Sequence, residues 1–238
     1  MSLISIFLPV DQRHDTLDKL KLSVSSVLSQ TYRNWDLIIC AYGSDPTERG
    51  VEGDGPSSPV KLSISFKEII RYLQDLVNKN PQFTLKFVLL EGPKIKTRDV
   101  VLNEMMKYVA PRSDDPVGEA VRSEWIALIS PGDIWINNKL ELQIPLTGCF
   151  DVIGGNARYI CGATGSPRIP CYNITGYSFE NNPIVCSCAM IRRSLCNWQP
   201  GKDTDFDLYT SIRADGHKFF NHPSILVLLP VPSSPPPT

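Results

Sequence analysis

Strands and helices alternate through the first half of this chain, and that order restricts the fold more than any other feature. Short runs of apolar and β-branched residues predict strands, and apolar stripes at helical spacing predict the helices between them. The predicted strands are 3–10, 37–41, 85–90 and 125–129, and the predicted helical stripes are 17–28, 66–77 and 101–109. A strand, a helix and a second strand in this order form a right-handed βαβ unit. The sequence therefore predicts an α/β fold, with a mostly parallel central sheet and helices on both faces.

The second half has a different pattern, in which short strands and loops outnumber helices. Its predicted strands are 152–155, 156–161, 184–191, 218–220 and 225–229, and its predicted helices are 138–143 and 205–214. We expect these strands to form a smaller mixed sheet beside the parallel one. The pattern indicates a single domain over 1–229, followed by a disordered tail rich in proline over 230–238.

Charge and composition exclude several classes of protein. The formal net charge is −1, which does not suggest the basic face that binds nucleic acid. No apolar run is long enough to cross a bilayer, and the start does not resemble a signal peptide, so we expect a cytoplasmic protein. The seven cysteines are odd in number and lack CxxC spacing. They predict free thiols in a reducing compartment rather than a zinc site.

The segment from Trp125 to Trp135 places one carboxylate directly after a predicted buried strand. The apolar run 125–129 is interrupted by Ser130, Pro131 and Gly132, and Asp133 follows. In an open α/β sheet, ligands bind beyond the carboxyl ends of the strands. We therefore expect the functional site around Asp133. The alternative is that Asp133 caps the helix that follows, a role that aspartate fills well.

Several segments, taken in order, resemble family-two glycosyltransferases of the GT-A fold. The end of the first helix, Ser29-Gln30-Thr31-Tyr32, is the most specific of them, and the others are 5–10, 34–39, 124–141 and 204–208. The resemblance extends from about residue 3 to residue 229. It implies a three-layer GT-A fold in which 1–133 binds a nucleotide-sugar and 134–229 forms the acceptor side.

The resemblance also implies an activity. An enzyme of this family moves a sugar from a nucleotide-diphosphate donor to a hydroxyl group of a glycan or another acceptor, usually with inversion at the anomeric carbon. A divalent metal, Mn or Mg, neutralises the departing diphosphate. A carboxylate on the acceptor side removes the proton of the attacking hydroxyl.

Residues are carried over from the family by their position in its motifs. Asp205 matches the catalytic base, and Asp133 matches the remaining acid on the metal side. The residues expected to contact the nucleotide-sugar are Pro9, Val10, Asp11, Tyr42, Ser44, Asn103 and Ser130. Two alternatives stay open: Asp205 can be an acid that complements the dipole of its helix, and Tyr42 can be a surface aromatic rather than a stacking partner for the base.

The chain departs from the family in three acidic motifs. Ala41 and Tyr42 stand where the family has an acidic pair, Gly132 stands at the metal-ligand position, and Thr204 precedes the expected base. Losing carboxylates weakens metal binding, because Mg and Mn prefer charged oxygen ligands. Three hypotheses follow: an active transferase, a degenerate transferase kept as a binding or scaffolding protein, and a metal-independent transferase in which basic residues replace the ion.

Overall fold

The computed structural model describes residues 3–43, 64–91, 97–109, 123–160, 184–199 and 204–230. The described strands are β1 (Ile4–Asp11), β2 (Trp35–Gly43), β3 (Thr84–Glu91), β4 (Trp125–Leu128), β5 (Ile134–Trp135), β6 (Val152–Ile160), β7 (Met190–Arg192) and β8 (Phe219–Pro230). The described helices are α1 (Leu17–Leu28), α2 (Phe66–Lys79), α3 (Arg98–Met106), α4 (Lys139–Gln143) and α5 (Thr204–Ala214). Short 3-10 turns cover Ile144–Leu146, Cys186–Cys188 and Arg193–Leu195.

All eight described strands form one sheet, in the order β3-β2-β1-β4-β7-β6-β8-β5. The first four strands in this order are parallel, as predicted. Strand β7 runs antiparallel to β4 and β6, strands β6 and β8 are parallel, and β5 is antiparallel to β8. The mixed strands that we expected in a separate smaller sheet are therefore continuous with the parallel ones.

Helices cover both faces of the sheet, as the alternating pattern predicts. Alternate side chains of β1 enter the two cores, because successive side chains of a strand point to opposite faces. Ile6 and Leu8 pack in the core that includes α1 and α2. Phe7 packs in the core that includes α3 and α5. Both cores are built around the four parallel strands, whose carboxyl ends carry the candidate site.

All five strand predictions in the second half are wrong in their extent. The predicted strand 184–191 contains a 3-10 turn at Cys186–Cys188, and only Met190–Arg192 pairs with neighbouring strands. The predicted pair 152–155 and 156–161 is the single strand β6, and 218–220 with 225–229 is the single strand β8. An irregularity in the pairing of β6 with β8 takes up the residues around Pro223. Proline cannot donate to the ladder, and a bulge accommodates it without ending the strand.

The described ranges also contain the first residue of the predicted tail and five of the cysteines. Strand β8 includes Pro230, so the predicted tail is wrong at that residue. The rest of the predicted tail, 231–238, lies outside the described residues. No helix in the described ranges is both long enough and apolar enough to cross a bilayer. The five cysteines in these ranges are free thiols, as predicted, while Cys161 and Cys171 lie outside them.

Candidate functional site

The candidate site lies where the parallel strands β1, β2 and β4 end side by side. Asp11, the last residue of β1, is paired in register with Tyr42 of β2. Strand β4 pairs with β1 up to Leu128, and the turn that carries Asp133 begins two residues later. The carboxyl ends of these strands therefore bring the segments predicted for nucleotide binding to one edge of the sheet, the position where open α/β sheets bind ligands.

Hydrogen bonds from helix α1 fix the turn between β4 and Asp133. The Ser23 hydroxyl lies 3.0 Å from the carbonyl oxygen of Ser130 and 2.8 Å from that of Asp133. The amide of Gly132 donates to Ser23 Oγ at 2.9 Å and to the carbonyl oxygen of Lys19 at 3.1 Å. Gly132 has φ +95°, a left-handed conformation that glycine adopts without steric cost. The shape of the turn thus depends on glycine at this position.

The most specific segment of the resemblance, the end of α1, holds the chain that follows Asp133. Gln30 Nε2 donates to the carbonyl oxygen of Ile136 at 2.8 Å, and Gln30 Oε1 accepts from the amide of Leu140 at 3.1 Å. Ser26 Oγ accepts from the amide of Trp135 at 3.1 Å. These polar side chains satisfy buried backbone groups. They therefore fix the segment that follows Asp133 against α1.

Asp133 is half-buried and is held by a residue that the sequence analysis missed. Ser187 Oγ donates to Asp133 Oδ2 at 2.5 Å. Burial raises the pKa of Asp133 to about 6, although the Ser187 hydrogen bond and the charges of Arg98 and Lys19 lower it. The alternative role as a helix cap is wrong, because Asn138 is the N-cap of α4. The sequence predicted a strand over 184–191 and so did not indicate a role for Ser187. In the structure, Ser187 lies in a 3-10 turn, from which its hydroxyl reaches Asp133.

Asp205 occupies the first turn of α5 and is almost fully buried, with 7 % exposed. Its Oδ2 accepts a hydrogen bond from Arg98 Nη1 at 2.7 Å. Its Oδ1 has no hydrogen-bond partner among the described residues. Arg98 therefore fixes Oδ2, while Oδ1 is a buried oxygen without a partner of its own among the described residues. The first-turn position is also the one that favours an acid near a helix N-terminus, so both interpretations of Asp205 fit its place.

Arg98 is the second functional residue that the sequence analysis missed. It begins α3, and its Nη2 lies 2.6 Å from Cys186 Sγ. Burial alone lowers the pKa of Arg98, but the neighbouring Cys186 and Asp205 raise it above its ordinary value, so the guanidinium stays charged. Its charge also lowers the pKa of Asp133. Arg98 thus acts on both aspartates, which the structure brings to one site.

The residues that the sequence predicts to contact the nucleotide, at the ends of β1 and β2, are buried. Tyr42 is only 6 % exposed, so its interpretation as a surface aromatic is wrong, and burial raises its pKa to about 12. The Asp11 carboxylate accepts from Arg13 Nε at 2.8 Å and from Arg13 Nη2 at 2.6 Å. Burial raises the pKa of Asp11, but these hydrogen bonds outweigh it and lower the pKa below its ordinary value. Pro9 and Val10 are buried, and the Val10 side chain belongs to the core.

The other predicted contacts lie in different surroundings. Asn103 Nδ2 donates to the carbonyl oxygen of Trp198 at 2.6 Å, and Asn103 Oδ1 accepts from the Trp198 amide at 3.2 Å. This amide therefore positions the segment that leads to α5. The backbone amide of Ser130 donates to Ser187 Oγ at 2.9 Å, which helps to fix the turn. Ser44 lies outside the described residues.

Acids and bases both meet at this edge of the sheet. Those in the described ranges do not form a preformed metal site. The described ranges contain no group of three or more His, Cys, Asp or Glu side chains that could hold a metal ion. Asp133 is the acid at the position that the resemblance gives to the metal, and Gly132 beside it offers no side-chain ligand.

Comparisons with known proteins find a similar curated protein and solved structures of similar fold. No protein-family profile matches the chain. A curated Escherichia coli protein, UDP-Glc:alpha-D-GlcNAc-diphosphoundecaprenol beta-1,3-glucosyltransferase WfgD, is 26% identical over 204 residues, which are 82% of this chain and 62% of that protein. The chain therefore spans about three fifths of this relative.

Solved structures of TarS from S. aureus are similar in fold. The complex of TarS residues 1–349 with UDP has a TM-score of 0.60 at 12% identity, over 97% of this chain and 61% of that one. The complex with UDP-GlcNAc has a TM-score of 0.61 at 12% identity, over 99% of this chain and 60% of that one. These matches confirm the fold that the sequence predicted.

Proposed function

We propose that this chain, which has the GT-A fold and is similar to family-two glycosyltransferases, transfers a sugar from a nucleotide-diphosphate donor to an acceptor hydroxyl with inversion. The observation that carries the proposal is the Arg98 guanidinium, which pairs with Asp205 and acts on Asp133 at the carboxyl edge of the parallel strands. An acid for the acceptor and an acid for the donor thereby meet at one site. A single domain over 1–229 and a cytoplasmic location stay predictions from the sequence.

The donor in this proposal is a UDP-sugar. The E. coli relative is named for UDP-Glc, and the TarS structures hold UDP or UDP-GlcNAc. The nucleoside is expected beside Asp11 and Tyr42, which end β1 and β2. The diphosphate is expected beside the turn of Asp133, where α1 and the turn meet.

Asp205 is the proposed general base. Its unpaired Oδ1, which is buried in the described structure, accepts the proton of the acceptor hydroxyl while the hydroxyl oxygen forms a bond to the anomeric carbon. The bond from that carbon to the diphosphate oxygen breaks on the opposite face, and the nucleoside diphosphate leaves with the electron pair. Arg98 holds Oδ2 at 2.7 Å, so the carboxylate is oriented before the acceptor arrives.

A resident divalent metal fits the described residues poorly. Such a metal usually takes one or two carboxylates in addition to substrate phosphates. Asp133 is the one acid at the expected place, one of its oxygens is engaged by Ser187, and position 132 is a glycine. The Lys19 charge beside Asp133 would also repel a dication. We therefore route no step of the reaction through a metal.

A second candidate function is a degenerate transferase that binds a nucleotide-sugar without turning it over. The observation in its favour is the loss of acids at 41, 42 and 132 within an otherwise retained scaffold. The two candidates differ in turnover rather than in ligand binding.

The release of UDP from UDP-glucose and UDP-GlcNAc, measured with a panel of sugar acceptors, tests the proposal. We expect the native chain to release UDP and Asp205→Asn to lose about 10²- to 10⁴-fold of the rate. Asp207→Asn, on the same helical turn, is the matched control and should keep the native rate. Binding of UDP without any turnover would favour the degenerate candidate instead.

A further inference from the structure

We propose that Lys19 binds the diphosphate of the donor directly, and that its ammonium group takes the place of the metal ion at this site. The inference rests on the proposed function, because it assigns the charge that stabilises the leaving group of that reaction. It concerns a residue of α1 that no motif of the resemblance includes.

The Lys19 side chain packs closely against the position that the Cβ of a residue other than glycine would take at 132. A Cβ placed on Gly132 would lie 3.3 Å from Lys19 Cγ and 3.6 Å from Lys19 Cδ. Pro230 Cγ would also lie 3.6 Å away. The position where the family has a metal ligand is therefore a glycine in this chain, and the methylene groups of Lys19 pack against it.

Backbone hydrogen bonds fix this relationship between α1 and the turn. The Gly132 amide donates to the carbonyl oxygen of Lys19 itself, at 3.1 Å. Ser23, one turn further along α1, bonds the same turn through its hydroxyl. Lys19 is therefore anchored at its backbone against Gly132, and its flexible end extends from there towards the site.

The ammonium group of Lys19 is available for a ligand. Arg13 is paired with Asp11, and Arg98 is paired with Asp205. Lys19 forms no ion pair with a carboxylate in the described ranges, and its Nζ donates to the carbonyl oxygen of His14 at 3.3 Å. A long hydrogen bond to a neutral carbonyl is readily exchanged for a shorter, charge-assisted bond to a phosphate oxygen.

The neighbouring acids show which charges surround this group. Asp133 and Asp15 are both near Lys19, since its charge lowers the pKa of each of them. Burial nevertheless raises the pKa of each to about 6. His14 and Arg98 also face these acids. Because Arg98 is paired with Asp205, a diphosphate that enters here meets Lys19 as its cation, and lysine is an established point-charge ligand for phosphate.

Titration calorimetry with UDP tests the inference, in EDTA and in MnCl₂. The variants are Lys19→Met, which keeps an apolar stem over Gly132 and removes the charge, and Lys19→Arg, which keeps the charge. Lys21→Met is the matched control, because Lys21 is an exposed lysine on the same helix that pairs only weakly with Asp18. Uridine, which lacks the diphosphate, is the control ligand.

We expect native UDP affinity in EDTA to lie within about twofold of that in MnCl₂. Lys19→Met should weaken UDP about tenfold to 100-fold, the loss of one charge-assisted hydrogen bond. Uridine affinity should not change, Lys19→Arg should recover most of the UDP affinity, and Lys21→Met should bind as the native chain does.

Two results overturn the inference while leaving the proposed function intact. One is UDP binding that requires MnCl₂, and the other is native UDP affinity in Lys19→Met. A native chain that binds UDP in neither condition overturns the proposed function and this inference together.

Discussion

Arg98 Nη1 and Asp205 Oδ2 lie 2.7 Å apart, in an ion pair that joins the first residue of α3 to the first turn of α5. The Arg98 side chain is 24% exposed and the Asp205 side chain 10%, so water screens the pair weakly. The second guanidinium nitrogen contacts Cys186. Cys186 adjoins Ser187, which holds Asp133. The pair therefore links Asp205, the proposed base, to Asp133, the proposed donor-side acid, through one cation.

Replacing Arg98 by methionine leaves the buried Asp205 carboxylate without its partner. We expect Arg98→Met to lower the free energy of unfolding by about 3 kcal/mol, because removing one member of a buried pair strands the other charge. Urea denaturation at pH 7 measures the change. Lys107→Met is the control, since its pair with Glu104 is largely exposed and should be worth less than about 1 kcal/mol. Equal, small effects of both substitutions would show that the Arg98 pair is screened like a surface pair.

Restoring an acid at position 132 should not create a metal site. Gly132→Asp forces an L side chain into φ +95° and against Lys19. Left-handed backbone costs about 1–2 kcal/mol for a residue other than glycine. We expect a loss of stability of at least that size, measured by urea denaturation, and no gain of donor hydrolysis in MnCl₂.

Two other glycines separate the causes of that loss. Gly216 has φ +82° with nothing within 4 Å of its Cβ position, and Gly148 also has open space there. Gly216→Asp should show the backbone cost alone, and Gly148→Asp should be nearly neutral. A Gly132→Asp variant as stable as Gly148→Asp, or one that hydrolyses donor with manganese, would contradict the described turn.

Asn103 distinguishes a donor contact from a positioning residue. Both ends of its amide bind the backbone of Trp198. Asn103→Ala should therefore destabilise the chain by about 1–3 kcal/mol, the cost of unpaired buried polar groups. The rate of transfer should fall while the affinity for UDP stays within about twofold of native. A selective loss of UDP affinity without loss of stability would instead support the donor contact predicted from the sequence.

Lys139 gives the fold a pH dependence that can be isolated by substitution. It is fully buried, donates to Gln143 Oε1 at 2.7 Å and lies 4.0 Å from the centroid of the Trp135 ring. Burial lowers its pKa to about 7. Between pH 7 and about 10.4, the ordinary lysine pKa, the unfolded chain binds more protons at this residue than the folded chain does. Stability contributed by Lys139 therefore rises with pH across this window.

The comparison with Lys139→Met reveals this term. The free energy of unfolding of the native chain, minus that of Lys139→Met, should increase by about 2 kcal/mol from pH 7.5 to pH 9.0, at roughly 1.4 kcal/mol per pH unit. Titration of groups that do not interact with Lys139 affects both proteins and cancels in the difference. Lys79→Met, at an exposed lysine, should show no such slope. A flat difference for Lys139→Met would mean that the folded chain keeps this lysine fully protonated.

Local patterns were sufficient to predict the front half of the fold. The stripe at 17–28 is α1, the stripe at 66–77 lies in α2, and the apolar run at 125–129 contains β4. These features depend on periodicity and on neighbours within one turn, which a sequence displays directly. The same holds for the position of Asp133 after β4.

Tertiary pairing explains what the sequence could not show. Ser187 meets Asp133 across 54 positions of the chain, and Arg98 meets Asp205 across 107. Neither pair has a spacing rule, because the sheet order that joins them is not encoded in either segment alone. Lys19 belongs to the same class, since only the contact of α1 with the Gly132 turn makes it part of the site.

The crystal structure of this chain with UDP tests the central claim most directly. We predict density for the nucleoside beside Asp11 and Tyr42, and for the diphosphate between Lys19 and Asp133, with Asp205 on the acceptor side of the β-phosphate. UDP bound at any other place, or no bound UDP at concentrations far above those used in titration, would contradict the account.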